Sequence, residues 1–173
     1  MGNFGFDPTK FTNAQLQTEG WIRFTDTPEQ VFARIADHEG MTEWVPQLKK
    51  VIVTHPQKLM PGESAIGTTR ELVFQGGITL VEHIVFWNAP FCYAYDTQGK
   101  GFPLQNYIGL MGVEPTKNGG GTFIFREYFD VKGRVKQAVI PHGVVPPMRQ
   151  ALHKLSQLIG GTEYDVKHVN VQH

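Results

Sequence analysis

The stretch "GTTRELVFQGGITLVEHIVFW", residues 67–87, decides how the chain folds. Two runs rich in β-branched and apolar residues flank Gly76-Gly77, so the stretch reads as two strands joined by a turn. Side chains alternate along a strand. In the first run Ile66, Thr68, Arg70, Leu72 and Phe74 form the more apolar face, and Glu71 falls on the other. In the second, Ile78, Leu80, Glu82, Ile84 and Phe86 form the apolar face, opposite Thr79, His83 and Trp87. Arg70 and Glu82 are therefore expected to point inward from neighbouring strands, with Glu71 pointing outward. A buried charge with no partner is strongly destabilising. Two readings follow: a closed structural ion pair, or the polar end of an apolar ligand cavity.

The strand pattern extends in both directions. "EGWIRF" and "LKKVIVTH" precede the stretch; "FCYAYDTQ", "NYIGLMGVEP" and "GTFIFREYFDV" follow it, giving seven strands with mostly hairpin-length connections. In "FCYAYDTQ" the bulky set of Phe91, Tyr93, Tyr95 and Thr97 is expected inward, leaving Cys92 outward as a small packing residue. After the first strand, "TDTPEQVFARIAD" starts a helix: Thr27 caps it, Pro28 suits its first position and Gln30 completes a capping box. "MTEWVP" is a second short helical turn that ends at Pro46. In "HGVVPPMRQALHKLSQLIGG", Met148, Leu152, Leu155 and Ile159 form one apolar stripe, and Gly160-Gly161 stops the helix.

The order predicts an α+β fold: a curved seven-stranded antiparallel sheet wrapped around a long C-terminal helix, with two short helices after strand 1. Residues 1–16 are expected to be an irregular lead-in with Phe4, Phe6 and Phe11 packed on the surface. Residues 17–160 form one domain, and residues 161–173 a loose polar tail. A sheet that curls away from its helix leaves a cavity between them.

Composition narrows the functional classes. The 173 residues suffice for one sizeable core, and 40% are apolar. With 16 basic and 16 acidic residues the formal charge is zero, which argues against sequence-independent nucleic-acid binding. The single cysteine fits a reducing cytoplasm. No apolar run approaches the roughly 20 residues of a membrane-spanning helix, and "MGNFGF" lacks the features of a secretion signal. His38, His55, His83, His142 and His153 show no ligand spacing, so no metal is expected. "NGGGT" enters a strand without the lysine of a phosphate loop, and reads as a hairpin turn.

The strings "GTTRELVFQGG", "EHIVFWNAPFCYAYDTQGKGFPLQNYIG" and "GGTFIFREYFDV", with "TPEQVFARIAD" and Trp44 in the second helix, resemble the START/Bet v 1-like superfamily. The branch they resemble most is the polyketide cyclase/dehydrase and lipid-transport group. The resemblance implies the helix-grip fold with a large cavity between sheet and C-terminal helix. Similarity to the plant abscisic-acid receptors implies a gate-like loop at residues 75–78 and a second loop at 102–104. It also implies Glu82, Tyr107 and Arg126 in the cavity. The gate is shortened here, and no lysine stands near residues 42–46, so a hormone receptor is not expected. In the last strand, alternation favours Phe123, Phe125, Glu127 and Phe129 inward, whereas the resemblance favours Ile124, Arg126 and Tyr128. Arg126 is expected inward on the second ground.

The expected function is binding of a small hydrophobic, polyketide-like or lipid-like molecule, with cyclisation or dehydration as its chemistry. Arg70 or Arg126 would stabilise a developing oxyanion, Tyr95 or Tyr107 would pass a proton, and Glu82 would act as base. Leu72, Phe74, Tyr93, Tyr95, Phe102, Leu104, Met148 and Leu152 would contact the ligand, with no cofactor. The alternatives are a non-catalytic carrier or sensor, and an interaction module with a filled interior. The chain is expected to be a cytoplasmic monomer or homodimer.

Overall fold

A computed structural model describes residues 4–55, 64–99, 104–131 and 140–169. The strands are β1 (Leu16–Phe24), β2 (Leu48–Thr54), β3 (Thr69–Phe74), β4 (Thr79–Asn88), β5 (Cys92–Gln98), β6 (Leu104–Pro115), β7 (Gly121–Val131) and β8 (Gly161–His168). They form one sheet in the order β2-β3-β4-β5-β6-β7-β1-β8. Neighbours in that order are antiparallel throughout. Helix α1 (Pro28–Ala36) and a 3-10 helix (Glu39–Glu43) follow β1. Helix α2 (Val145–Leu158) crosses the inner face of the sheet, giving the helix-grip fold.

Local chemistry places these elements. Thr27 Oγ1 accepts the Gln30 backbone N–H at 3.3 Å, and the Gln30 side chain accepts the Thr27 N–H at 3.2 Å, so the capping box forms. Val31, Phe32 and Ile35 bury the apolar face of α1. Helix α2 approaches the sheet at Gly20, where a Cβ would lie 2.7 Å from Leu152 Cδ2. Gly160, at φ +63°, reverses the chain after α2.

The sheet has eight strands rather than seven, because residues 161–168 are not a loose tail. β8 pairs along β1 from Phe24↔Gly161 to Thr18↔His168. The backbone ladder to β1, one buried side chain, Val166, and the Arg149 donor from α2 to the Val166 carbonyl at 2.9 Å hold a strand whose other residues are mostly polar and exposed.

The outer face carries a second apolar cluster of Phe4, Cys92, Ala94, Ile108, Leu110 and Ile124. The lead-in covers it: Phe6 stacks on Phe11 with ring centroids 5.3 Å apart, and both rings meet Phe86. Burial pushes the Cys92 thiol up to about 12, consistent with a packing role. Ile66, Ile78 and Phe91, expected inward, lie just outside β3, β4 and β5 and are exposed, and within a strand one alternation fails. A register shift in β4 turns both Val85 and Phe86 outward and returns Trp87 to the inner core, against Tyr93 and Phe32. Among the described residues no helix is long and apolar enough to cross a membrane.

Candidate functional site

A cavity of about 300 Å³ lies between the inner face of the sheet, the 3-10 segment and the first half of α2. Its apolar wall includes Met41, Trp44, Leu72, Phe74, Leu80, Leu104, Met111, Phe125, Met148 and Ala151. The polar groups in the wall are Glu82, Thr97, Tyr95, Tyr107 and Glu127. Cross-strand neighbours bring these groups together, because β4 to β7 are sequential antiparallel partners.

Arg70 and Glu82 are directly opposite on β3 and β4. Arg70 is fully buried, and its Nε donates to Glu82 Oε2. Its Nη1 donates to His38 Nδ1 at 3.0 Å and to the Tyr93 hydroxyl at 3.3 Å. Its guanidinium carbon stands 4.4 Å from the centre of the Tyr95 ring. Burial opposes the Arg70 charge, but Glu82 and the two tyrosines outweigh it and raise its pKa. Burial also raises the Glu82 carboxyl, against the pull of Arg70. The pair is ionic, because a neutral Glu82 would leave the buried guanidinium without a counter-ion. His38 is lowered to about 3, first by burial and then by Arg70 and His55. It is therefore neutral, and since arginine only donates, its Nδ1 is the acceptor.

Glu127 is held differently. Tyr107 donates to its Oε1 at 2.7 Å, and Thr18, its cross-strand neighbour on β1, donates to Oε2. No cation contacts it among the described residues. Burial raises the Glu127 carboxyl; the Thr18 and Tyr107 donors oppose this, and the Glu82 charge reinforces it. Tyr95 lies between the two carboxyls, packed on Gly109, with its ring 6.2 Å from that of Tyr107.

Seven of the residues singled out from the sequence line the cavity: Leu72, Phe74, Glu82, Tyr95, Leu104, Tyr107 and Met148. Four described ones do not. Arg70 is sealed behind Glu82, so the ion pair is closed on its cationic side. Tyr93 is fully buried and donates to the Ile35 carbonyl at 2.7 Å. Leu152 is spent on the helix–sheet contact at Gly20. Arg126 is a correction: β7 runs without a bulge, so Phe125, Glu127 and Phe129 face inward and Arg126 faces outward. There its Nε donates to Glu19 at 2.7 Å, and Lys167 meets the same carboxylate at 3.0 Å. Phe102 lies outside the described residues.

Glu127, His38, Thr18 and Thr97 were not singled out. The alternation of "FIFREYF" did place Glu127 on the inner face; the resemblance displaced it. Nothing in the sequence marks His38, because its partner Arg70 is 32 residues away. No group of three His, Cys, Asp or Glu side chains among the described residues is arranged to hold a metal ion.

Comparison with known proteins agrees with this architecture. Solved structures with the same fold include the protein XoxI from Bacillus cereus, 21% identical, covering 84% of this chain and 96% of that one with a TM-score of 0.63. A conserved protein from Geobacillus kaustophilus is 15% identical and covers 86% and 99%, with a TM-score of 0.64. Norcoclaurine synthase from Thalictrum flavum is 12% identical and covers 88% and 90%, with a TM-score of 0.64. No curated protein matches the chain. Residues 17–160 match the family described as polyketide cyclase / dehydrase and lipid transport. With the helix-grip fold and this match over most of its length, the chain belongs to that family, within the START/Bet v 1-like superfamily.

Proposed function

We propose that the protein binds a compact hydrophobic molecule in this cavity and moves a proton on it, in cyclisation or dehydration chemistry of the kind its family is named for. The observation that carries this reading is the contrast between two carboxyls in one apolar wall. Glu82 is neutralised by Arg70, whereas Glu127 is held only by hydroxyl donors. Environments that separate two carboxyls in this way also separate their acid–base roles. Glu127 accepts a proton from the ligand and returns it. Tyr95 donates to the oxygen on which charge develops, and Tyr107 and Thr18 fix the Glu127 carboxyl. Arg70 acts through Glu82 as a positioning residue.

A second reading is a carrier or sensor that holds its ligand unchanged. It is favoured by the placement of Arg70: its Nε and Nη1 are committed to Glu82, His38 and Tyr93, its Nη2 is buried, and the residue is not part of the cavity lining.

Proton exchange separates the two. 2-Indanone is a compact ketone with acidic C–H bonds, and its hydrogen–deuterium exchange in D₂O is followed by NMR. The enzyme reading expects wild-type protein to accelerate exchange over buffer and Glu127→Gln to remove the acceleration. Binding without acceleration supports the carrier. If 2-indanone does not bind, and native mass spectrometry of fresh protein carries no small molecule, the cavity reading fails.

A further inference from the structure

The cavity wall also carries information about the charge of its occupant. Among the described residues the wall has two carboxyls and no lysine, arginine or histidine. Arg70 cancels Glu82 from behind, which leaves Glu127 as the uncompensated group. A carboxylate offers about four acceptor sites. Tyr107 and Thr18 each fill one, so Glu127 retains acceptor capacity on the side that lines the cavity. Trp44 and Phe125 also belong to the wall, and aromatic rings attract cations.

We propose that the cavity selects a compact apolar molecule bearing a protonated amine, with the ammonium donating to Glu127. This rests on the reading that the cavity is a ligand site, and it adds the chemical class. An ammonium supplies both the donors and the positive charge that the wall lacks, and a charge-assisted hydrogen bond in an apolar site is stronger than a neutral one. A ligand carboxylate or phosphate would bring a third acidic group into a wall with no cation among its described residues to meet it, at a large desolvation cost. The volume of about 300 Å³ sits at the small end of ligand cavities and matches a body of one or two rings. The raised Glu127 carboxyl is the state expected of this group before a cationic partner arrives.

Three probes share a phenyl ring and differ in the head group: 2-phenylethylamine, 2-phenylethanol and 3-phenylpropanoate. Their binding to the full chain is measured by calorimetry at neutral pH. The inference expects the amine to bind about tenfold or more tighter than the alcohol, and the carboxylate not to bind measurably. Glu127→Gln removes the amine's advantage and leaves alcohol binding, which also reports that the variant is folded. Glu127→Asp, which keeps the charge, keeps part of the preference. If the alcohol binds as tightly as the amine, or the carboxylate binds comparably, the amine inference is overturned and the cavity reading stands. If the amine's advantage survives Glu127→Gln in a variant that binds alcohol, Glu127 is not its partner and the inference is overturned. If no probe binds wild-type protein, the amine inference is overturned, and the 2-indanone and native mass-spectrometry result decides the cavity reading separately.

Discussion

Tyr107 donates its hydroxyl hydrogen to Glu127 across 2.7 Å inside the cavity, and an irregularity in β6 makes the meeting possible. The register between β6 and β7 shifts between Gln105 and Ile108, where Asn106 adopts φ +52°. Leu104 and Tyr107 consequently face the same side, although they are three residues apart.

Tyr107→Phe removes one of two donors from Glu127 and is expected to cost about 1 kcal/mol. It also raises the carboxyl further, because the lost donor favoured its ionised form. The folded-state value already lies above the unfolded one, so stability falls as pH rises from the unfolded value through the folded value. In the variant this fall is deeper and extends to higher pH. Urea midpoints measured from acidic to mildly basic pH check both statements.

Arg70→Met leaves the Glu82 carboxylate buried without a cation. The expected loss is about 3–5 kcal/mol by chemical denaturation. Glu82→Gln added to Arg70→Met is expected to recover much of that loss, giving a large coupling energy in the double-mutant cycle. Additive losses would show that the two side chains do not act as a pair.

His38 sets a pH dependence of opposite sign. Its folded value, about 3, lies below the ordinary 6.5. The unfolded chain binds a proton there that the folded chain refuses, so stability is lost as pH falls from 6.5 towards 3. His38→Asn, whose amide oxygen can accept from Arg70 as Nδ1 does, is expected to fold and to show a flatter profile over that interval. Thermal or urea unfolding of both proteins across it is the measurement.

Gly109 is the floor under Tyr95: a Cβ there would lie 2.4 Å from the ring's Cζ. Gly109→Ala is expected to displace the ring and cost about 1–3 kcal/mol. In a Tyr95→Ala background the same substitution is expected to cost much less, since the clashing ring is gone. Equal costs in both backgrounds would place the strain elsewhere.

The readable parts of this molecule were those fixed by local chemistry. The Thr27–Gln30 capping box, the stripe of α2 and the inward pair Arg70 and Glu82 all follow from spacing, and each stands as spacing predicts. Strict alternation also favoured an inward Glu127 and an outward Arg126, which is how β7 runs. It failed where a strand gains a residue: the β4 bulge exchanged the faces of Phe86 and Trp87. It had nothing to say about β8, whose single buried residue, Val166, makes no periodic signal.

The sequence by itself determined the order of β1 to β7 and the helices between and after them, the curved sheet gripping a C-terminal helix, and which two charges on β3 and β4 meet. Those features depend on residues close in the chain or directly paired across one hairpin. Only the tertiary structure decided that Arg70 is closed off by His38 and Tyr93, and that Glu127 meets Thr18 from a strand 109 residues away. The same holds for the cavity that Glu127 faces. Contacts of that range are set when the sheet closes β1 against β7 and α2 covers it, and no periodicity along the chain encodes them.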